Sequence, residues 1–480
     1  AVLNAGQEGY NTAVGYDAGQ AMTTAINNTL IGGLAGDALT TGGENIAVGR
    51  SALSTETAGS RNVAIGYEAL KDLNTSSAAY NIAIGYHAGT NVTTGTSNTL
   101  IGGLTGDALT TGNNNVALGY SALGAETKGD RSVAIGNFAL QVQNNTTNTD
   151  VYNTAVGYSA GSSITTGTDN TILGGLAGDA LTTGSLNVAV GKAALGSEDT
   201  GSASVAVGHA ALMNQDGTGS IYNVAVGHNA GIAVTTGTQN TLVGGLAGDA
   251  LTTGVHNVAL GYKALTAEDT GNFSVAIGSG ALEDQNYSGS AFNVAIGYEA
   301  GNSVTTGINN TLVGGAAGDA LTTGSYNVAL GYEALSTEDT GTRSIAIGYY
   351  ALRNQNYNGE ANNVAVGHLA GLNVSTGIQN TLIGSFAGDA LNTGSDNVAI
   401  GTYALSAETI GNGSVAIGVR ALEDQQSGAG AIILNTAVGY EAGKNIDGNP
   451  GNGDQNTAIG GKALDAETTG QENTAVGVDA

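Results

Sequence analysis

The sequence predicts an all-β protein: a parallel β-solenoid of about 27 short coils with a 17-residue period. Three observations point to it. The phrase Asn-x-Ala-Val-Gly recurs along the whole chain, with 27 starts at 11, 28, 45, 62, 81 and onward to 473. Most copies place a β-branched residue just before Gly, with Asn and Thr-Thr-Gly recurring at fixed offsets, a pattern that breaks helices and suits short strands between turns. Finally, the 480 residues include 80 Gly but no Trp, no Cys, one Pro and four Phe, so the core must be thin and made of small side chains.

The starts are mostly 17 residues apart, with 19 or 21 at every fourth step. Four coils therefore form a super-repeat of about 70 residues, here called the first to fourth coil. Residues 1–434 hold six super-repeats, and residues 435–480 an incomplete, altered seventh. Seventeen residues are too few for a helix-containing leucine-rich repeat and match one solenoid turn. At about 4.8 Å per coil, 27 coils would span roughly 130 Å. The chain starts and stops inside a repeat and reads as a mature product or a piece of something longer.

Each column then acquires a physical reason. With the first residue as offset 0, offset 4 is Gly in every copy, beginning Gly15, Gly32, Gly49, Gly66. This implies a backbone angle or a close approach that a Cβ forbids. Offset 0 is Asn in 22 copies, beginning Asn11, Asn28, Asn45, Asn62, and suits a side-chain amide ladder. Ser stands there in five: Ser132, Ser204, Ser274, Ser344 and Ser414. Offset 7 is Ala in all but Thr105, setting a narrow wall. Offsets 2 and 3 are both apolar, although strand neighbours face opposite ways. The aliphatic residue at offset 3 is expected to fill the interior. Offset 2, usually Ala but Leu30, Leu100 or Ile172 in second coils, is expected to face another subunit. That predicts a homo-oligomer, most simply a trimer; a monomer with small apolar residues at its surface is the alternative.

Ser132-Val133-Ala134-Ile135-Gly136 and Ser274-Val275-Ala276-Ile277-Gly278, followed by Ala139 and Ala281, resemble the head repeats of YadA-like trimeric autotransporter adhesins, also found in phage and phage-derived tail fibres. The resemblance covers nearly the whole chain, unit by unit. It implies a left-handed parallel β-roll, three chains side by side, an extracellular location and a role in attachment. The 17-residue unit is longer than that family's usual coil. The chain also has no recognisable coiled-coil stalk or C-terminal membrane barrel, which leaves a fibre shaft or released filament open.

A net charge of −27 with 12 basic residues argues against nucleic acid or an anionic membrane as partner. No run of 18 apolar residues is present to insert in a membrane. The repeated Gly-Gly-Leu-Ala-Gly-Asp-Ala-Leu of second coils (Gly32 to Leu39) resembles a calcium β-roll turn or a phosphate loop. Yet Asp37, Asp107, Asp179, Asp249, Asp319 and Asp389 fall four coils apart, roughly 19 Å, too far to share an ion. A phosphate loop needs a helix behind it. A plain reading follows: Gly33 replaces a larger corner residue, and Asp37 sits in a solvated turn.

The offset-5 column carries exposed aromatic residues, including Tyr16, Tyr67, Tyr86, Tyr120, Tyr158, Tyr262, Tyr298 and Tyr332. Such rings stack on sugars or pack as a ladder against a partner chain. The acidic pairs Glu198-Asp199, Glu268-Asp269 and Glu338-Asp339 recur too often for a catalytic dyad and are expected on a solvated face. The five His have no ligand spacing, so no catalytic residue is expected. Residues 446–455 hold the only Pro; their oxygen-rich loop makes Asp447 and Asp454 the candidate ligands for Ca²⁺, the one cofactor considered, against the simpler reading of a turn. Without a unique irregular place, no enzyme is expected. The leading expectation is an extracellular fibre or adhesin rod, at a cell surface or on a virion, partnered by itself and by a host receptor or glycan. The alternatives are a filament subunit polymerising end to end, an ice-binding solenoid with Thr ladders such as Thr40-Thr41, and a phage tailspike.

Overall fold

The computed structural model describes residues 8–426, 432–446 and 454–480. Among these there is no helix. The chain divides into two compact units, one ending at Gln239 and the other beginning at Asn240. Each is a parallel β-solenoid. The first contains 13 repeat strands, from Thr12–Val14 to Val224–Val226, and the second 14, from Thr241–Val243 to Thr474–Val476. Within each unit the strands pair in register, offset upon offset: Ala13 with Leu30, Ile46 with Val63, Thr241 with Val258.

The offset-4 glycines have two reasons to be glycine. Gly49 has φ +136°, and a Cβ there would lie 2.3 Å from the carbonyl oxygen of Gly66 in the next coil. The same contact repeats up each stack, so the column is locked by its own neighbours. The Asn column forms the expected ladder. Asn28 Nδ2 donates to the Gly42 carbonyl (3.1 Å), closing its own coil, while Asn28 Oδ1 accepts from the Asn45 backbone N–H (3.0 Å). Asn45 Oδ1 accepts in turn from Asn62 N–H (2.9 Å). These side chains are buried and take the place of missing backbone partners at a corner.

The strands overturn one expectation. Offset 2 faces the interior and offset 3 faces out. Leu30, Ala47 and Ala64 are fully buried, whereas Ile31 is 40 % exposed. The core is built instead from offsets 2, 7, 8 and 11. Its volumes are exchanged between columns. Second coils carry Leu at offset 2, and Gly stands at offset 8 in that coil and in the one before. A Cβ on Gly19 would sit 2.7 Å from Leu30 Cδ1, and one on Gly36 3.0 Å from Leu30 Cδ2. Third and fourth coils reverse this, with Ala47 and Ala64 at offset 2 and buried Leu53 and Leu70 at offset 8. The constant filled volume is what a close-packed interior demands. Gly36 in the Gly-Gly-Leu-Ala-Gly-Asp phrase therefore makes room for Leu30.

Candidate interaction face

With offset 2 turned inward, offsets 1 and 3 form the outer face of each sheet. All 54 of these positions in the 27 copies are Thr, Val, Ile or Leu, and none carries a charge. Val116 and Leu118 flank buried Ala117 and are 37 % and 44 % exposed; Leu173, Leu260 and Leu330 are as open. Thirteen coils at about 4.8 Å make a strip roughly 60 Å long, and three strand residues make it about 10 Å wide. That is on the order of 600 Å² of uncharged strand face per unit, at the upper end of the largest patch that soluble monomers usually show.

Aromatic residues border these strands in sequence. Tyr16, Tyr86, Tyr120, Tyr158, Tyr262, Tyr298 and Tyr332 are exposed, and Tyr67 is half-buried. Several stack on one another: Tyr67 on Tyr86 (centroids 5.5 Å) and Tyr332 on Tyr349 (5.7 Å). Phe138 bridges Tyr120 and Tyr158 edge-on. A second aromatic column lies just before offset 0, where His256, Phe273 and Phe292 stack at 5.0 and 5.2 Å. Gly33 and Gly175, at offset 5 of second coils, have no steric reason to be glycine: a Cβ on Gly175 would meet nothing within 4 Å.

The acidic pairs are only in part a solvated face: Asp199 is exposed and Asp269 and Asp339 half-buried, but the Glu of each pair is not at the surface. In each third coil the Glu at offset 11 replaces the aliphatic plug and is fully buried: Glu56, Glu126, Glu198, Glu268, Glu338 and Glu408. The sequence places all three pairs on a solvated face because they recur along the chain. The signal available was their column, which elsewhere holds Leu39, Leu109 or Leu181. Glu126 accepts from the backbone N–H groups of Thr127 (2.9 Å), Lys128 (3.0 Å) and Gly129 (2.7 Å). It also accepts from Asn145 N–H (3.0 Å), Asn145 Nδ2 (3.1 Å) and Gln143 Nε2 (2.9 Å). Six donors replace the water that a buried carboxylate loses.

The Gln and Asn donors to this Glu lie in the fourth coil, the one with extra residues. Gln143 Nε2 also donates to Ser132 Oγ (2.9 Å), and Gln143 Oε1 accepts from Asn153 Nδ2 (2.9 Å). The same Glu–Gln–Ser–Asn group recurs as Glu268, Gln285, Ser274 and Asn293. Only the first super-repeat differs, with Leu73 in place of Gln and Asn62 in place of Ser. Thus the five Ser interruptions of the Asn ladder coincide with the five fourth-coil glutamines. The shorter Ser leaves space for a Gln that carries the hydrogen bonding onward.

Asp37 is likewise half-buried rather than solvated, and its Oδ1 is buried without a partner, as are those of Asp249, Asp319 and Asp389. Burial pushes all six Asp of this column up from the ordinary carboxylate range, Asp389 to about 6. Burial also raises Glu268, against the opposing hydrogen bond from Gln285. The first Thr of the Thr-Thr ridge is spent internally, Thr40 Oγ1 donating to the Thr57 carbonyl (2.9 Å) and Thr110 Oγ1 to that of Thr127 (2.9 Å), whereas the second, as at Thr41, is exposed. Asp447 lies outside the described residues. Asp454 belongs to no cluster, and among the described residues no three His, Asp or Glu are placed to hold a metal. No described helix is long and apolar enough to cross a membrane. No family model and no curated protein matches the chain.

Proposed function

We propose that this chain is a structural scaffold, a segment of an extracellular fibre or adhesin that associates with copies of itself through the uncharged outer sheet face. One observation carries the reading: 54 outward strand positions without a charge in a chain of net charge −27. A strip of this size exposes enough apolar area to approach the roughly 800 Å² per partner of a stable interface, and the bordering rings enlarge it. A closed homo-oligomer hides one such face on each chain, and the resemblance favours three chains over two. The resemblance to trimeric adhesin and tail-fibre repeats supports the extracellular, attachment-related role. Repetition of one plan supports a presentational rather than catalytic mechanism.

The test is a charge placed on the face. Val116→Lys with Leu118→Lys points two cations outward from one strand. Sedimentation of the unaltered chain should give a multiple of its 47.0 kDa, three for a trimer. The variant should shift toward 47.0 kDa with an unchanged circular dichroism spectrum. Unaltered chains sedimenting as monomers at all concentrations would refute the proposal.

A further inference from the structure

Among the described residues, the extra residues of the fourth coils form loops, three in the first unit and two in the second. They lie between the Glu-bound residue and a peg that tucks into the core: Ala79, Val151, Ile221, Ala291 and Ala361 are each buried. In the first loop Thr75 N–H and Oγ1 both donate to Glu56 Oε2, at 3.1 Å each. Asn145 does the same to Glu126, and Tyr287 N–H to Glu268 (3.3 Å). Each loop is therefore fixed at both ends while its middle is exposed. Within the first unit the loops at 74–78, 145–149 and 217–220 recur every four coils, roughly 19 Å apart.

These loops are also where the internal copies differ most. The second coils repeat almost letter for letter, whereas the loops read Asn-Thr-Ser-Ser, Asn-Asn-Thr-Thr-Asn-Thr, Asp-Gly-Thr-Gly-Ser, Asn-Tyr-Ser-Gly-Ser and Asn-Tyr-Asn-Gly. Asn, Ser, Thr, Gly and Tyr on a rigid frame is the composition of adaptable recognition loops. The loops are nearly uncharged, and two of the acids beside them are neutralised locally: Asp150 by Arg131 (2.5 Å) and Glu360 by Arg343 (2.6 Å). At the first loop an open groove of about 410 Å³ is lined by Thr57, Asn74, Thr75, Ser76, Ser77 and Thr94. Its walls combine hydroxyl and amide groups with methyl groups, among them that of Ala58.

We infer that these loops are a recognition surface for uncharged glycans. The inference rests on the reading of the chain as an attachment scaffold, and it assigns the attachment to an edge distinct from the outer sheet face. Hydroxyls and amides at fixed positions match the donor and acceptor pattern of sugar hydroxyls, while the chain's net charge of −27 disfavours polyanions. Regular spacing lets one long polymer engage several weak sites, so that avidity supplies the affinity.

The intact chain is run in gels containing dextran, mannan or agarose, with alginate as the anionic comparison. At least one neutral polymer should retard it. A variant with Ser76→Ala, Ser77→Ala, Thr147→Ala, Thr218→Ala, Ser288→Ala and Asn358→Ala should lose about tenfold in apparent affinity. These positions are in the loops and outside the core, and circular dichroism should be unchanged. No retardation by any neutral polymer, retardation by alginate alone, or equal retardation of the variant would each overturn the inference. Sedimentation is measured on the same samples. A monomeric chain that still binds dextran or mannan through its loops would remove the scaffold proposal and leave this one standing.

Discussion

At the scale of single residues, the 80 glycines are not equivalent. Those at offset 4 with another coil of the same unit after them, such as Gly49 and Gly66, combine a positive φ with a carbonyl 2.0–2.6 Å from any added Cβ, whereas Gly175 faces open space with no positive φ. Gly49→Ala should therefore cost more than 2 kcal/mol, because strain of about 1–3 kcal/mol adds to a backbone clash. Gly175→Ala should stay within about 0.5 kcal/mol of the parent, as surface changes do. Chemical denaturation of the two variants checks the contrast; equal losses would show that the column is not held by contact between coils. The column of six Asp gives a pH dependence. Their folded pKa values lie above the ordinary value of 3.8, so the fold binds protons more tightly than the unfolded chain. The stability they add is fully present below that value and is lost as pH rises through the folded pKa, about 6 for Asp389. Melting temperature should thus fall between pH 4 and 6.5. A rise over that interval would contradict the buried placement of these carboxylates.

At the scale of the coil, most of the plan was legible and one part of it was reversed. Periodicity, the glycine corner and the Asn ladder follow from columns that hardly vary. The facing of the strand did not follow, because three residues are too few to display alternation when offsets 1, 2 and 3 are all apolar or Thr. Size held the answer: offset 2 is Ala wherever offset 8 is Leu, and Leu30 is matched by Gly19 and Gly36. An outward residue has no reason to trade volume in this way. The buried Glu escaped notice for a different reason, since burial of a carboxylate depends on donors in the next coil, 17 to 19 residues away. The pairing of Gln with Ser predicts a measurable coupling. Gln143→Leu alone removes one hydrogen bond from each of Glu126, Ser132 and Asn153, and Ser132→Asn alone crowds Gln143. Together they recreate the Leu73 and Asn62 arrangement of the first super-repeat. The double variant should be more stable than the sum of the single losses by about 0.5–3 kcal/mol. Strict additivity in a double-mutant cycle would mean that the network is not a unit.

At the scale of the whole molecule, charge and apolar surface are kept apart. The acids occupy turns, corners and the buried third-coil column, and the outward strand positions have none. This segregation is what the proposed self-association needs: charge that favours solubility beside one face without charge. The most direct test uses the absence of cysteine from the chain, which lets a single thiol report on one place at a time. Three variants are compared: Leu118→Cys on the outer face, Ala117→Cys in the interior and Ser77→Cys in an exposed loop. Leu118 is 44 % exposed and Ala117 is buried in the isolated chain. If copies meet through the outer face, the thiol at 118 should react with a maleimide at least tenfold more slowly than the one at 77 in concentrated solution, and approach its rate on dilution. The thiol at 117 should stay protected throughout. Equal rates at 118 and 77 at every concentration would mean that the face lies open to water, and the scaffold account would be wrong.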